Sequence, residues 1–99
     1  MTKKRIAPVH PGEVLRGWLE EDSLSANALA LALRVPSNRI LAILAGKRSV
    51  TPETALRLAR YFGTSAQMWL NLQLRFDLDT AEDSLAEKVA REVMPRSAA

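Results

Sequence analysis

Ninety-nine residues, 47% of them hydrophobic, suit one small domain with its own core. The absence of cysteine excludes a disulfide framework and a thiolate metal site, and a single histidine, His10, cannot build a zinc site. The formal net charge of +3 hides an asymmetry: residues 1–76 carry eleven Lys/Arg against five Asp/Glu, and residues 77–99 carry three against six. A basic core beside an acidic tail fits a polyanion-binding domain with an appended interaction element, although ordinary surface solubility fits the charge equally well.

The chain opens on Met1-Thr2-Lys3-Lys4-Arg5, which is basic but is followed by no apolar run. Neither a signal peptide nor a membrane span is expected, and a cytoplasmic protein is the simplest reading. Residues 1–10 read as a flexible basic N-terminus. A first helix is predicted from Pro11 to Glu21, where Val14, Leu15, Trp18 and Leu19 make one apolar stripe and Asp22-Ser23 ends it. Ser25 is a good N-cap for a second helix, Ala26 to Leu33. The run Ala28 to Leu33 also fits a strand period of two, but Ala and Leu are the best helix formers and Ala is depleted in strands. Leu29, Ala32 and Leu33 are expected inward.

A third helix is predicted to start near Pro36, in the first helical position, and to bury Ile40, Ile43 and Leu44 before Gly46 stops it. Thr51 caps a fourth helix, with Pro52 and Glu53 in its first turn. Ala55, Leu56, Leu58, Ala59 and Phe62 supply its apolar side, and Gly63 ends it. Thr64 and Gln67 predict a capping box for a fifth helix carrying Met68, Trp69, Leu72 and Phe76. Thr80 and Asp83 predict the capping pair of a last, acidic helix, with Pro95 beyond its end. The expected fold is all-α with five to six helices. Residues 11–78 would form the folded unit, and 79–99 a C-terminal helix and tail.

Two short helices joined at Arg34-Val35-Pro36, the second opening on Ser37-Asn38-Arg39, make a helix-turn-helix. Such a unit reads DNA if the first turn of its second helix offers base-reading side chains and flanking groups grip phosphates. Arg bonds bidentately to guanine, Asn to adenine and Ser to several base edges. Lys47 and Arg48 lie after the recognition helix and suit phosphates. The plainer alternative has Ser37-Asn38 merely capping the helix and Arg39 solvated. Leu41 fits a thymine methyl and a contact with a neighbouring helix equally well.

Enzyme readings find little support. Glu20-Glu21-Asp22 fits a solvated helix end, and His10 has no candidate nucleophile or metal partner, so it is expected to cap or pack at the first helix. No glycine-rich phosphate loop occurs, and Trp18, Trp69 and Phe76 fall at core spacing. No catalytic residue, metal or cofactor is expected. Leu85, Val89 and Val93 recur every four residues on the last helix, and this stripe must bury against something. The second protomer of a dimer is the expected partner, ahead of another protein or the chain's own core.

Several motifs recur in a telling order: His10-Pro11-Gly12-Glu13, then Val35-Pro36-Ser37-Asn38-Arg39-Ile40, then Gly46-Lys47-Arg48. Thr51-Pro52-Glu53-Thr54-Ala55-Leu56-Arg57-Leu58-Ala59, Phe62-Gly63-Thr64-Ser65, Trp69-Leu70-Asn71-Leu72-Gln73 and Asp77-Leu78 follow. In this order the chain resembles HigA-type antitoxins of the lambda-repressor-like helix-turn-helix superfamily, over about residues 8–79. The resemblance implies a cytoplasmic homodimer that binds a ribonuclease toxin encoded beside it and represses their operon on a palindromic operator. Carried over by position, it implies base reading by Ser37, Asn38, Arg39 and Ala42, and phosphate contacts by Ser25, Asn27, Lys47 and Arg48. It also marks a departure: the corner residue in such proteins is usually glycine, favoured by positive φ, whereas here it is Arg34. A strained turn, costing on the order of 1 kcal/mol, is the expectation. Two rivals remain. One is a stand-alone phage- or plasmid-type repressor, which a ribonuclease-like reading frame next door would argue against. The other is a protein-interaction module whose basic face serves an acidic partner.

Overall fold

Five helices make up the computed structural model, which describes residues 7–97: α1 (Pro11–Glu21), α2 (Ala26–Leu33), α3 (Ser37–Leu44), α4 (Pro52–Phe62) and α5 (Ala66–Glu92). Most of the basic N-terminus, residues 1–6, and residues 98–99 lie outside the described region. Four of the five helices start on a side-chain cap. His10 Nδ1 accepts from Gly12 N, Ser25 from Ala28 N, Thr51 from Thr54 N and Ser65 from Met68 N. Pro36 caps α3 without a side-chain bond, so it stands just before the first helical residue rather than in that position.

Helices α1 to α4 each end in a left-handed residue: Ser23 (φ 51°), Arg34 (φ 62°), Gly46 (φ 74°) and Gly63 (φ 75°). The expected positive φ at the helix-turn-helix corner is therefore adopted by an arginine. There Val35 N–H donates to the Ala30 carbonyl and Arg34 N–H to the Leu31 carbonyl, satisfying two orphan acceptors of α2. Gly46 closes α3 in the same way, with Lys47 N–H donating to Ala42 and Gly46 N–H to Ile43.

The core gathers Leu15, Leu29, Ile40, Ile43, Ala55, Leu58 and Trp69, all without exposed surface. Trp18 packs edge-on against both Phe62 and Trp69, with ring centroids 5.1 Å apart in each pair. Two inward assignments change. In α2 the buried face is Leu29, Ala30 and Leu33, and Ala32 is exposed, because it projects about 100° around the helix from that face. In α4 Leu56 is 64% exposed, pointing away from the face made by Thr54, Ala55 and Leu58.

Helix α5 brings two further corrections. Its N-cap is Ser65, so Thr64 and Gln67 form no capping box. The Thr64 hydroxyl instead accepts from the Trp69 indole N–H at 3.0 Å, and Gln67 donates to Asn71 at 2.8 Å. The separate last helix predicted from Thr80 does not exist, since α5 runs unbroken for 27 residues, about 40 Å. It contains neither glycine nor proline. Contacts one turn apart flank the expected break, with Gln73 to Asp77 at 2.9 Å and Arg75 to Asp79 at 3.2 Å before it, and the Ser84 hydroxyl to the Thr80 carbonyl at 3.1 Å after it. The outer half projects from the bundle. The radius of gyration is 17.1 Å, against about 13 Å for a compact chain of this length.

Candidate nucleic-acid interface

Local chemistry fixes the angle between α2 and α3. The left-handed Arg34 turns the chain, and Arg57 of α4 donates from Nη1 to the Leu33 carbonyl at 2.9 Å, fastening the end of α2 beside that turn. Helix α1 supports α3 from behind. Gly12 lies so close to the Ile43 carbonyl that a Cβ would overlap it, and Arg16 donates to the Leu44 carbonyl at 2.9 Å. The segment that carries Lys47 and Arg48 is tied to α5, because the buried Gln73 accepts from Val50 N–H at 2.8 Å. Asp77 in turn accepts from the Gln73 amide, so the amide is locked in that orientation.

Ser37 and Asn38, in the first turn of α3, are exposed. Ala42 is half-buried one turn later, and Leu41 is 55% exposed beside it, projecting from α3 to solvent. Arg39 differs from the solvated side chain that the plainer alternative supposes. Its side chain is only 20% exposed and turns to α4, where Nη1 lies 3.4 Å from Glu53 Oε1. Its Nε is buried with no hydrogen-bond partner. All four residues of the phosphate set, Ser25, Asn27, Lys47 and Arg48, are exposed. Ser25 Oγ accepts from Ala28 N–H, which leaves its hydroxyl hydrogen to donate outward. The surface can thus offer Ser and Asn groups to base edges, and two cations and short polar donors to phosphates.

Sequence reasoning gave Glu53 only a helix-end role and gave Arg57 none. The Glu53–Arg57 pair has the visible i, i+4 spacing, at 3.1 Å. The Arg39–Glu53 contact spans 14 residues and leaves no local signal. Gln73 was legible as part of a motif, but its bond to Val50 crosses 23 residues. Among the described residues no group of three or more His, Cys, Asp or Glu could hold a metal ion. None of the described helices is long and apolar enough to cross a membrane.

A short helix with an open first turn, set against its neighbour by a left-handed corner, defines a helix-turn-helix protein. The helix-turn-helix family profile matches residues 15–69. Within it, the chain belongs to the HigA-type antitoxins. It is 48% identical to an addiction module antidote protein of the HigA family from Coxiella burnetii, with a TM-score of 0.87 over 91% of this chain and 99% of that one. It is 41% identical to the Pseudomonas aeruginosa antitoxin HigA, solved with the higBA promoter, with a TM-score of 0.88 over 91% and 99%. Virulence-associated protein I of Dichelobacter nodosus is 51% identical over 81 residues, covering 81% of this chain and 75% of that protein.

Proposed function

We propose that this chain is a dimeric, sequence-specific DNA-binding antitoxin. It represses its own operon on a palindromic operator and neutralises a ribonuclease toxin encoded beside it, acting in the cytoplasm and without catalysis. The observation that carries this reading is the likeness, over 91% of the chain, to an antitoxin solved with promoter DNA, combined with the open first turn of α3. Ser37, Asn38, Arg39 and Ala42 read bases. Ser25, Asn27, Lys47 and Arg48 hold phosphates. Leu85, Val89 and Val93 are 46%, 51% and 61% exposed, and a second copy of the chain covers them.

Two substitutions test the division of labour. Arg39→Ala should cost roughly 1–3 kcal/mol on the operator and little on random DNA. Lys47→Ala should weaken both by similar factors and lower the salt slope by about one unit. Fluorescence titrations over a range of salt read both effects. An unchanged operator-to-random ratio in Arg39→Ala refutes the base-reading assignment.

A further inference from the structure

Glu53 stands between two arginines. Its Oε2 accepts from Arg57, 3.2 Å from Nε and 3.1 Å from Nη2, while its Oε1 faces Arg39 Nη1 at 3.4 Å. Arg57 is itself anchored through Nη1 to the Leu33 carbonyl at 2.9 Å. The carboxylate is therefore braced from one side, by a guanidinium fastened to the end of α2. Its free edge is presented to the recognition helix. We infer that Glu53 is a positioning residue for base reading: braced by Arg57, it sets the plane and reach of the Arg39 guanidinium before DNA arrives. The inference rests on the base-reading role proposed for Arg39.

Magnitudes favour positioning over stability. Glu53 is 58% exposed and Arg57 39%, so each ion pair adds little to folding. Yet Arg39 pays for its inward pose with a buried Nε that has no partner. A guanidinium has five N–H donors, so a bond to Glu53 leaves donors for a guanine edge. Recognition groups need support of this kind, since a long arginine side chain otherwise samples many rotamers. The carboxylate also bears a cost, since a negative charge in the first turn of α4 repels phosphates nearby. Removing it should therefore help binding to DNA in general while harming discrimination.

The test measures binding to two duplexes. One is selected by the wild-type protein from a randomised library, and the other is a scrambled duplex of equal length and composition. Glu53→Gln keeps the shape of the side chain, and Glu53→Asp keeps the charge but withdraws the oxygens. Each should lower the selected-to-scrambled affinity ratio about tenfold, part of the span that one bidentate contact covers. In the Arg39→Ala background neither should lower it further. Thermal midpoints of all variants should stay within a few degrees of the wild type. The proposal is overturned if the folded Glu53→Gln protein keeps the wild-type ratio, or if the ratio falls equally with Arg39 absent. It is also overturned if Glu53→Asp retains full discrimination, because charge rather than placement would then be at work. An Arg39→Ala protein that itself keeps the wild-type ratio overturns the base-reading assignment as well.

Discussion

At the scale of single residues, the corner of the helix-turn-helix is where sequence and backbone disagree. Arg34 sits at φ 62°, ψ 44°, a conformation that costs a non-glycine residue on the order of 1 kcal/mol. The two hydrogen bonds closing α2 and the packing of α3 hold it there. The side chain is exposed, so its removal loses little contact. Arg34→Gly should therefore stabilise the fold by roughly 0.5–1 kcal/mol, after allowing for the greater freedom of glycine in the unfolded chain. Thermal unfolding would show a midpoint raised by a few degrees. A lower midpoint would mean that the arginine side chain contributes more than the turn costs. Gly12 shows the opposite situation, a position where the fold accepts no Cβ because the Ile43 carbonyl occupies the space.

At the scale of elements, α5 combines two tasks in one helix. Its first half closes the core with Trp69 and Gln73, and Phe76 stacks edge-on against His10 with centroids 4.8 Å apart. Its second half carries the exposed Leu85 and Val89, Val93 follows at the extended C-cap, and Leu78 (52% exposed) lies about two turns before Leu85. A chain ended after Asp79 keeps every buried residue of the core. It should stay folded but sediment mainly as a monomer, and lose operator affinity because two half-sites no longer bind as a unit. Analytical ultracentrifugation, gel shift and toxin pull-down separate the outcomes. A tight dimer that has lost only toxin binding would assign the stripe to the toxin. Unfolding would show that the outer half of α5 is needed for the fold itself.

At the scale of the whole molecule, the shape is elongated, 55 × 29 × 22 Å; the recognition helix buries Ile40 and Ile43 in the core, and α5 is exposed from Glu82 onward. One helix-turn-helix reads only a few base pairs, too few to stand out against a genome. A two-fold dimer joined through α5 should therefore hold its two recognition helices about 34–36 Å apart, one turn of DNA. Footprinting of the promoter should reveal a palindrome whose half-sites lie about ten base pairs centre to centre. Full-affinity binding of a monomer to one asymmetric half-site would contradict this arrangement.

The sequence by itself determined whatever rests on local chemistry. Ser25, Thr51 and Pro52 start their helices, Gly46 and Gly63 end theirs, and stripes such as Ile40 with Ile43 face the core, because caps, left-handed stops and a 3.6-residue period act within a turn or two. In the first turn of α3 Ser37 and Asn38 are exposed, whereas the inward turn of Arg39 left no local signal. Whether Asp79-Thr80 breaks a helix is local too, but it turns on a few tenths of a kcal/mol, which a segment without glycine or proline tips towards continuity. Tertiary structure decided the rest. Which of Ala30 and Ala32 is buried depends on the phase at which α2 meets its neighbours. The brace from Leu33 through Arg57 and Glu53 to Arg39 joins three helices, and so does not exist until they pack.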